Sequence, residues 1–239
     1  MIIKSRALVI RTVDYSESSR IATLLTEQSG KLAVMAKGAR NPKSAYGHLI
    51  QPMNELEVVL YFKPGRDVQT LSQAGLITAR RQLMADYDRM MDGFRVLEWV
   101  NRFPVTAEDA SVMYQLVSRV LDLLDAGATP NPLWMAKFLV RLGQIGGYEP
   151  NVYECTSCGK RLSEFRTDQT GRFRLSGGDV WCPDCQGNHD SGFSVSMATV
   201  AQMAAWLYPG SVPAATGGVT IRDELEHLME KHLMYHLDL

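Results

Sequence analysis

The chain has 239 residues, 46% hydrophobic and 21% charged, with a formal net charge of −1. That is the make-up of a globular protein long enough to bury a substantial core. No run approaches the roughly 18 consecutive apolar residues of a membrane span. Arg11 and Asp14 interrupt the opening MIIKSRALVIRTVDY, so no secretory signal is read there and the expected compartment is the cytoplasm.

The first 80 residues alternate short β-rich runs with turn signals. Ala7–Val13, Ile21–Thr26, Lys31–Ala36, Leu56–Phe62 and a run beginning at Val68–Leu71 read as strands. Gly30 supplies a tight turn, and Lys63-Pro64-Gly65-Arg66 reads as a hairpin loop. Five short strands in so few residues predict a small closed or nearly closed barrel. The polar stretch Gly38–Gln51 is too long for a hairpin turn and fits either a helical turn or a mobile loop.

From about residue 80 the apolar period becomes helical. Leu83, Tyr87, Met90, Met91, Phe94, Leu97 and Val100 predict one helix, ended by Pro104. Thr106-Ala107-Glu108-Asp109 resembles a capping box for the next, with Val112, Leu116, Val120, Leu123 and Leu124 as its apolar face and Gly127 as its stop. Asn131-Pro132 opens a third, which carries Trp134, Phe138, Leu142 and Ile145 and ends at Gly146-Gly147. Two more are expected near Met197–Leu207 and Ile221–Leu237. These stripes read as core packing.

All four cysteines fall in two Cys-x-x-Cys pairs, Cys155/Cys158 and Cys182/Cys185. A two-residue gap lets both sulfurs of a pair turn toward one ion, and two such knuckles supply the four soft ligands that tetrahedral zinc prefers. Two disulfides do not suit a chain without an export signal. A redox dithiol would precede a helix in a thioredoxin-like unit. An iron–sulfur cluster also uses four cysteines, but Gly159 and Pro183 favour a zinc knuckle. Four thiolates close the coordination sphere, so one structural Zn2+ is expected. His189 reads as a loop histidine. His232 and His236, one helical turn apart, read as a solvated helix face.

Charge is unevenly distributed. Residues 1–81 carry twelve Lys or Arg and six Asp or Glu (12 − 6 = +6), and the remainder gives 13 − 20 = −7. A basic N-terminal third is the asymmetry of a chain that meets a polyanion there, or of two solvated surfaces of opposite sign. The densest basic cluster is Lys37, Arg40 and Lys43, with Tyr46 offering a stacking face. Arg11, Arg20, Lys31 and Arg66 extend the positive surface across the barrel. Small barrels bind single strands with such a groove plus base stacking, although Lys and Arg also decorate inert surfaces.

The stretch from Ile10 to Pro52, IRTVDYSESSRIATLLTEQSGKLAVMAKGARNPKSAYGHLIQP, resembles the N-terminal domain of the RecO family of bacterial recombination mediators. Tyr15-x-Glu17-Ser18, Thr23-Leu24-Leu25-Thr26, Gly30-Lys31, the run Ala36-Lys37-Gly38-Ala39-Arg40 and Lys43-Ser44 carry it. Downstream, Gly147-Tyr148-Glu149-Pro150 and the four-cysteine module follow in the family's order. The resemblance implies an α+β protein: an N-terminal five-stranded OB-fold barrel over 1–80, then an α-helical domain over 81–239 with a four-cysteine zinc finger inserted at 153–188. It further implies binding of single- and double-stranded DNA, strand annealing, and recombinase loading. The implied partners are RecR, single-strand-binding protein and RecF, and the implied location is the cytoplasmic nucleoid. The family's basic residues correspond to Lys37, Arg40 and Lys43, with Arg11 and Arg66 as further candidates. Arg119, Lys137 and Arg141 are basic candidates in the helical domain for the tail of single-strand-binding protein.

No enzymatic role is expected. Asp86, Asp88 and Asp92 form the nearest carboxylate cluster, but beside Arg89 they read as solvated surface and not as a holder of hydrolytic metals. No GxxxxGK[ST] loop is present. The alternative to a DNA-binding mediator is a zinc-ribbon adaptor that contacts only proteins.

Overall fold

Period-two patterning closes the first five strands on themselves. In the computed structural model, which describes residues 1–127, 131–188, 192–209 and 219–237, these are β1 (Ile2–Asp14), β2 (Arg20–Thr26), β3 (Gly30–Ala36), β4 (Glu55–Tyr61) and β5 (Val68–Thr78). They form a closed barrel in the order β1-β2-β3-β5-β4, the OB-fold expected from the resemblance. Closure depends on β1. Its first half, Ile2–Leu8, pairs with β4, and its second, Ala7–Asp14, pairs with β2. A bulge between Val9 and Arg11 bends the strand so that it serves both ladders.

Inward residues of the five strands, among them Val9, Leu24, Val34, Val58 and Leu60, fill the barrel. The stretch after β3 is neither helix nor free loop. It is a series of turns (Asn41 N to Gly38 O 3.1 Å, Ser44 N to Asn41 O 2.9 Å, Leu49 N to Tyr46 O 3.0 Å). These turns pack Ala39 and Ile50 into the barrel core.

The chain divides into two compact units, Met1–Thr129 and Pro130–Leu239. The first holds the barrel with α1 (Arg81–Ala85), α2 (Tyr87–Arg102) and α3 (Ala110–Asp125). The single helix expected from Leu83 to Val100 is two. Asp86 is extended (φ −112°, ψ 123°) and its carboxylate caps α2 by accepting from Arg89 N at 3.1 Å. The capping box is also displaced: α3 begins at Ala110, and the Thr106 hydroxyl donates to Asp109 at 3.0 Å instead. Its buried face is Met113, Tyr114, Val117, Leu121 and Leu124, while Val112 and Leu123 are exposed.

A buried ionic clasp joins the barrel to α3. Glu55 opens β4 on the face opposite the core residues Leu56, Val58 and Leu60, yet it is only 2% exposed because α3 and Arg80 cover it. It accepts from Arg6 (2.5 Å), the Tyr114 hydroxyl (2.6 Å), Arg80 (3.2 Å) and Ser118 (3.2 Å). Arg80 also donates to Met53 O (2.7 Å) and to Asp122 (3.0 Å). Burial works against the ionised carboxylate, but Tyr114, Arg6 and Arg80 outweigh it and hold Glu55 below the usual range. Burial together with Glu55 pushes the Tyr114 hydroxyl up.

The second unit holds α4 (Trp134–Ile145), a sheet of β6 (Thr170–Arg174), β7 (Asp179–Trp181) and β8 (Phe193–Ser196), then α5 (Met197–Leu207) and α6 (Val219–His236). The sheet order is β7-β6-β8. Ser196 caps α5 by accepting from Thr199 N (3.1 Å), and Glu224 of α6 takes the Ser196 N–H (2.9 Å) and hydroxyl (2.5 Å).

The solvated-face reading of His232 and His236 is corrected here. His232 is 1% exposed and lies on the same stripe of α6 as Leu225, Leu228, Met229 and Leu233. Its Nε2 bonds Tyr148 O at 3.0 Å, and its buried Nδ1 has no hydrogen-bond partner among the described residues. Gly178 packs so close that a Cβ there would come within 2.8 Å of the ring. His236 Nε2 bonds Leu175 O at 3.0 Å, and its ring stacks on Tyr148. His189 lies outside the described residues. Among those described, no helix is long and apolar enough to cross a membrane.

Candidate metal centre and nucleic-acid interface

The two cysteine knuckles form at the open end of the β6–β7 hairpin. The first follows a bridge between Glu154 and Arg161, and Gly159, in the left-handed region at φ +73°, returns its N–H to Cys155 O at 2.8 Å. The second follows β7, where Cys185 N and Gln186 N both reach Cys182 O at 3.0 Å. The four sulfurs lie within 4.8 Å of one another, and Cys158 Sγ is 3.7 Å from Cys182 Sγ. Tetrahedral coordination with metal–sulfur bonds of about 2.3 Å sets sulfurs about 3.8 Å apart. The donor set therefore fits a closed, structural metal site.

The backbone prepares this site for charge. Burial alone would push the Cys155 thiol up, but N–H groups of Cys182, Cys158 and Ser157 bring it down to about 7. The Cys182 N–H reaches Cys155 Sγ at 3.3 Å. Cys182 is driven the other way, to about 12, by burial and by the neighbouring sulfurs of Cys185 and Cys155. One thiol is thus disposed to ionise near neutral pH, whereas its neighbour needs a cation to do so.

The basic candidates divide into separate groups. Asp14 of β1 is opposite Arg20 of β2, which is opposite Ala36 of β3, so three strands leave the barrel at one rim. Lys37 follows β3 there, and Lys37 and Lys43 are exposed with no ion pair among the described residues. Arg40 is held: its Nε is 3.3 Å from Asp14, and its guanidinium donates to Ser16 O at 2.6 Å. Arg20 takes the other Asp14 oxygen at 3.0 Å. Arg11 stands on the outer wall of β1, opposite Thr23. Arg66 is not part of this rim. β5 runs parallel to β3 with Val68 opposite Ala33, so the preceding loop lies toward the Gly30 end.

Two assignments change. Tyr46 packs its ring against the barrel core and donates its hydroxyl to Lys37 O at 2.8 Å. Lys31 is no part of a positive surface: its ammonium binds Val100 O (3.3 Å) and Asn101 O (2.5 Å) at the end of α2. Burial brings its pKa down to about 8. The carboxylate cluster is likewise structural in part, since Asp86 caps α2.

Comparison with known proteins places both features. The family model "Recombination protein O N terminal" matches residues 1–80, and "Recombination protein O C terminal" matches residues 84–239. The chain belongs to the RecO family. It is 34% identical over 240 residues to the DNA repair protein RecO of Salinibacter ruber, covering 99% of this chain and 89% of that protein. It is 33% identical over 163 residues to the RecO of Chlorobium limicola (68% of this chain, 62% of that protein). With the RecO of Chlorobaculum parvum it shares 36% over 157 residues (65% and 60%). The basic rim thus falls in the N-terminal RecO region and the four cysteines in the C-terminal one.

Proposed function

We propose that this protein is a non-enzymatic DNA repair and recombination mediator. It binds single- and double-stranded DNA, anneals complementary strands and helps load a recombinase onto strands coated by single-strand-binding protein. RecR, single-strand-binding protein and RecF are the partners this reading implies. The supporting observation is the combination of RecO-family membership across the whole chain with a barrel rim on which Lys37 and Lys43 are exposed and without an ion pair among the described residues. Annealing needs no bond chemistry. Cations neutralise phosphates on two strands, which lowers their mutual repulsion while the bases stay free to pair.

The four thiolates would hold one zinc ion, whose chemistry is purely structural because no coordination position stays open. Cys155, Cys158, Cys182 and Cys185 then fix the ends of the ribbon, and α5 and α6 complete its surroundings.

The test is acceleration of annealing between two complementary oligonucleotides precoated with single-strand-binding protein, across a salt series and without ATP. Acceleration should fall with salt, with a log–log binding slope of roughly −0.7 per phosphate neutralised. Lys37→Glu with Lys43→Glu should lose most of it while the thermal midpoint stays unchanged. No acceleration by a folded, zinc-loaded protein would replace this reading with the adaptor that contacts only proteins.

A further inference from the structure

A strand-annealing surface needs a flat apolar face as well as cations, because stacking holds a base splayed without occupying its pairing edge. The tyrosine in the basic loop does not provide one, since Tyr46 is turned onto the barrel core. Three other tyrosines of the first unit are well exposed: Tyr15, Tyr61 and Tyr87. Tyr87 stands between Asp86 and Asp88 at the start of α2 and is not on the barrel rim that carries the basic loop. Tyr61 is paired with Ile2 at the far end of β1. Tyr15 alone projects from the rim that carries Arg20, Lys37 and Arg40, and it is 65% exposed.

Its mount is rigid. Tyr15 N and Ser16 N both reach Ser19 O, at 3.1 and 3.4 Å, and Ser19 N returns to the Ser16 hydroxyl at 3.1 Å. Arg40 then fastens this β1–β2 turn to the loop after β3. Its backbone N–H donates to Ser18 O at 3.0 Å, and its guanidinium to Ser16 O at 2.6 Å. The rest of the fork faces Asp14, which Arg20 also holds. Both the charge and the geometry of Arg40 are committed within the protein, whereas Lys37 and Lys43 keep free ammonium groups. Strands lie about 4.8 Å apart, so the ends of β1 and β3, with β2 between them, are about 10 Å from each other.

We propose that Tyr15 is the face on which a base of single-stranded DNA stacks, and that Arg40 is a positioning residue that holds this face beside Lys37 and Lys43. The proposal rests on the DNA-binding reading above and divides its cations into those that meet phosphate and one that builds the platform.

The test uses the full zinc-loaded chain and a single-stranded oligonucleotide carrying 2-aminopurine, whose fluorescence is quenched by stacking. Tyr15→Ala should weaken binding roughly 5- to 100-fold and abolish the protein-dependent quench, with the salt slope unchanged. Tyr15→Phe should keep both affinity and quench. Arg40→Lys, which preserves charge but not the fork, should lose the quench as Arg40→Ala does, again at unchanged slope. Lys37→Ala should instead reduce the slope by about one phosphate and leave the quench at saturation. If Tyr15→Ala binds and quenches like the wild type while Lys37→Glu/Lys43→Glu does not bind, the stacking assignment is wrong and the DNA-binding reading survives. If neither variant changes binding, the parent reading fails as well. A shallower salt slope in Arg40→Lys would make Arg40 a phosphate contact and overturn its positioning role.

Discussion

The two units hold themselves together by different means. The first has a closed barrel filled by inward aliphatic side chains, tied to α3 by a buried cluster of ions. The second holds a three-stranded ribbon among helices, and four cysteine sulfurs cluster at the ribbon's end. A barrel buries apolar surface on every strand and so needs no staple. A ribbon of short strands, of which β7 has three residues, buries little surface of its own, and its four clustered cysteines are the donor set through which a metal would order it. The difference teaches that disruption should be local to each unit and of different size.

The largest effect should come from the metal. Zinc in such sites contributes on the order of 10–16 kcal/mol toward local folding. Chelation, or Cys158→Ser, should therefore expose residues 153–188 to hydrogen exchange and proteolysis while β1–β5 stay protected. Simultaneous loss of barrel protection would erase the contrast between the units.

Next in size is the clasp. The Arg80 side chain is fully buried, and Arg80→Ala leaves Glu55 ionised and short of a partner, which costs about 3–5 kcal/mol. Urea unfolding followed through the barrel strands should show that drop, with metal content unchanged. An effect under about 1 kcal/mol would mean that the apolar core alone holds α3 to the barrel.

A smaller effect separates the units by pH. Burial depresses the pKa of His232 below its ordinary 6.5, and the neighbouring His236 adds to this. The folded unit therefore refuses a proton that the unfolded chain accepts below about pH 6.5. The stability due to neutral His232 is complete above that value and is lost as pH falls toward the folded pKa. Acid would also protonate thiolates of the four-cysteine cluster, so the informative quantity is the difference between wild type and His232→Phe. Between pH 7.5 and 5 the wild type should lose more thermal stability than the variant, and only in α4–α6 and the ribbon. Smallest is Asp86→Ala, which removes the α2 cap and should cost about 1 kcal/mol without touching the second unit.

What the sequence discloses and what it hides follow from the same physics. Strand alternation and the doubled Cys-x-x-Cys are local patterns, so the barrel strands and the four-cysteine cluster are legible residue by residue. The break at Asp86 is less so, since apolar spacing continues across it and only the cap geometry interrupts the helix. On α3 two apolar stripes compete, and the buried one is chosen by Tyr114 reaching Glu55, a contact 59 residues away in sequence. His232 did carry a signal: it completes the run Leu225, Leu228, Met229, Leu233, the mark of a core position. The basic loop looks uniform in sequence, yet one of its cations is committed to Asp14 and two are free. Pairing across the barrel rim decides that, and composition does not register it.

The double duty of β1 also sets a timetable for synthesis. Its second half finds β2 almost at once, and β3 adds to β2, but Leu8 must wait for Glu55, and the barrel closes only when β5 has emerged, by Thr78. At about 5–20 residues per second, the strand made first spends several seconds half-paired, its N-terminal edge open to any other extended chain nearby. The nascent protein is thus most vulnerable to misassociation before its helices exist, while the barrel that pairs every strand is still open.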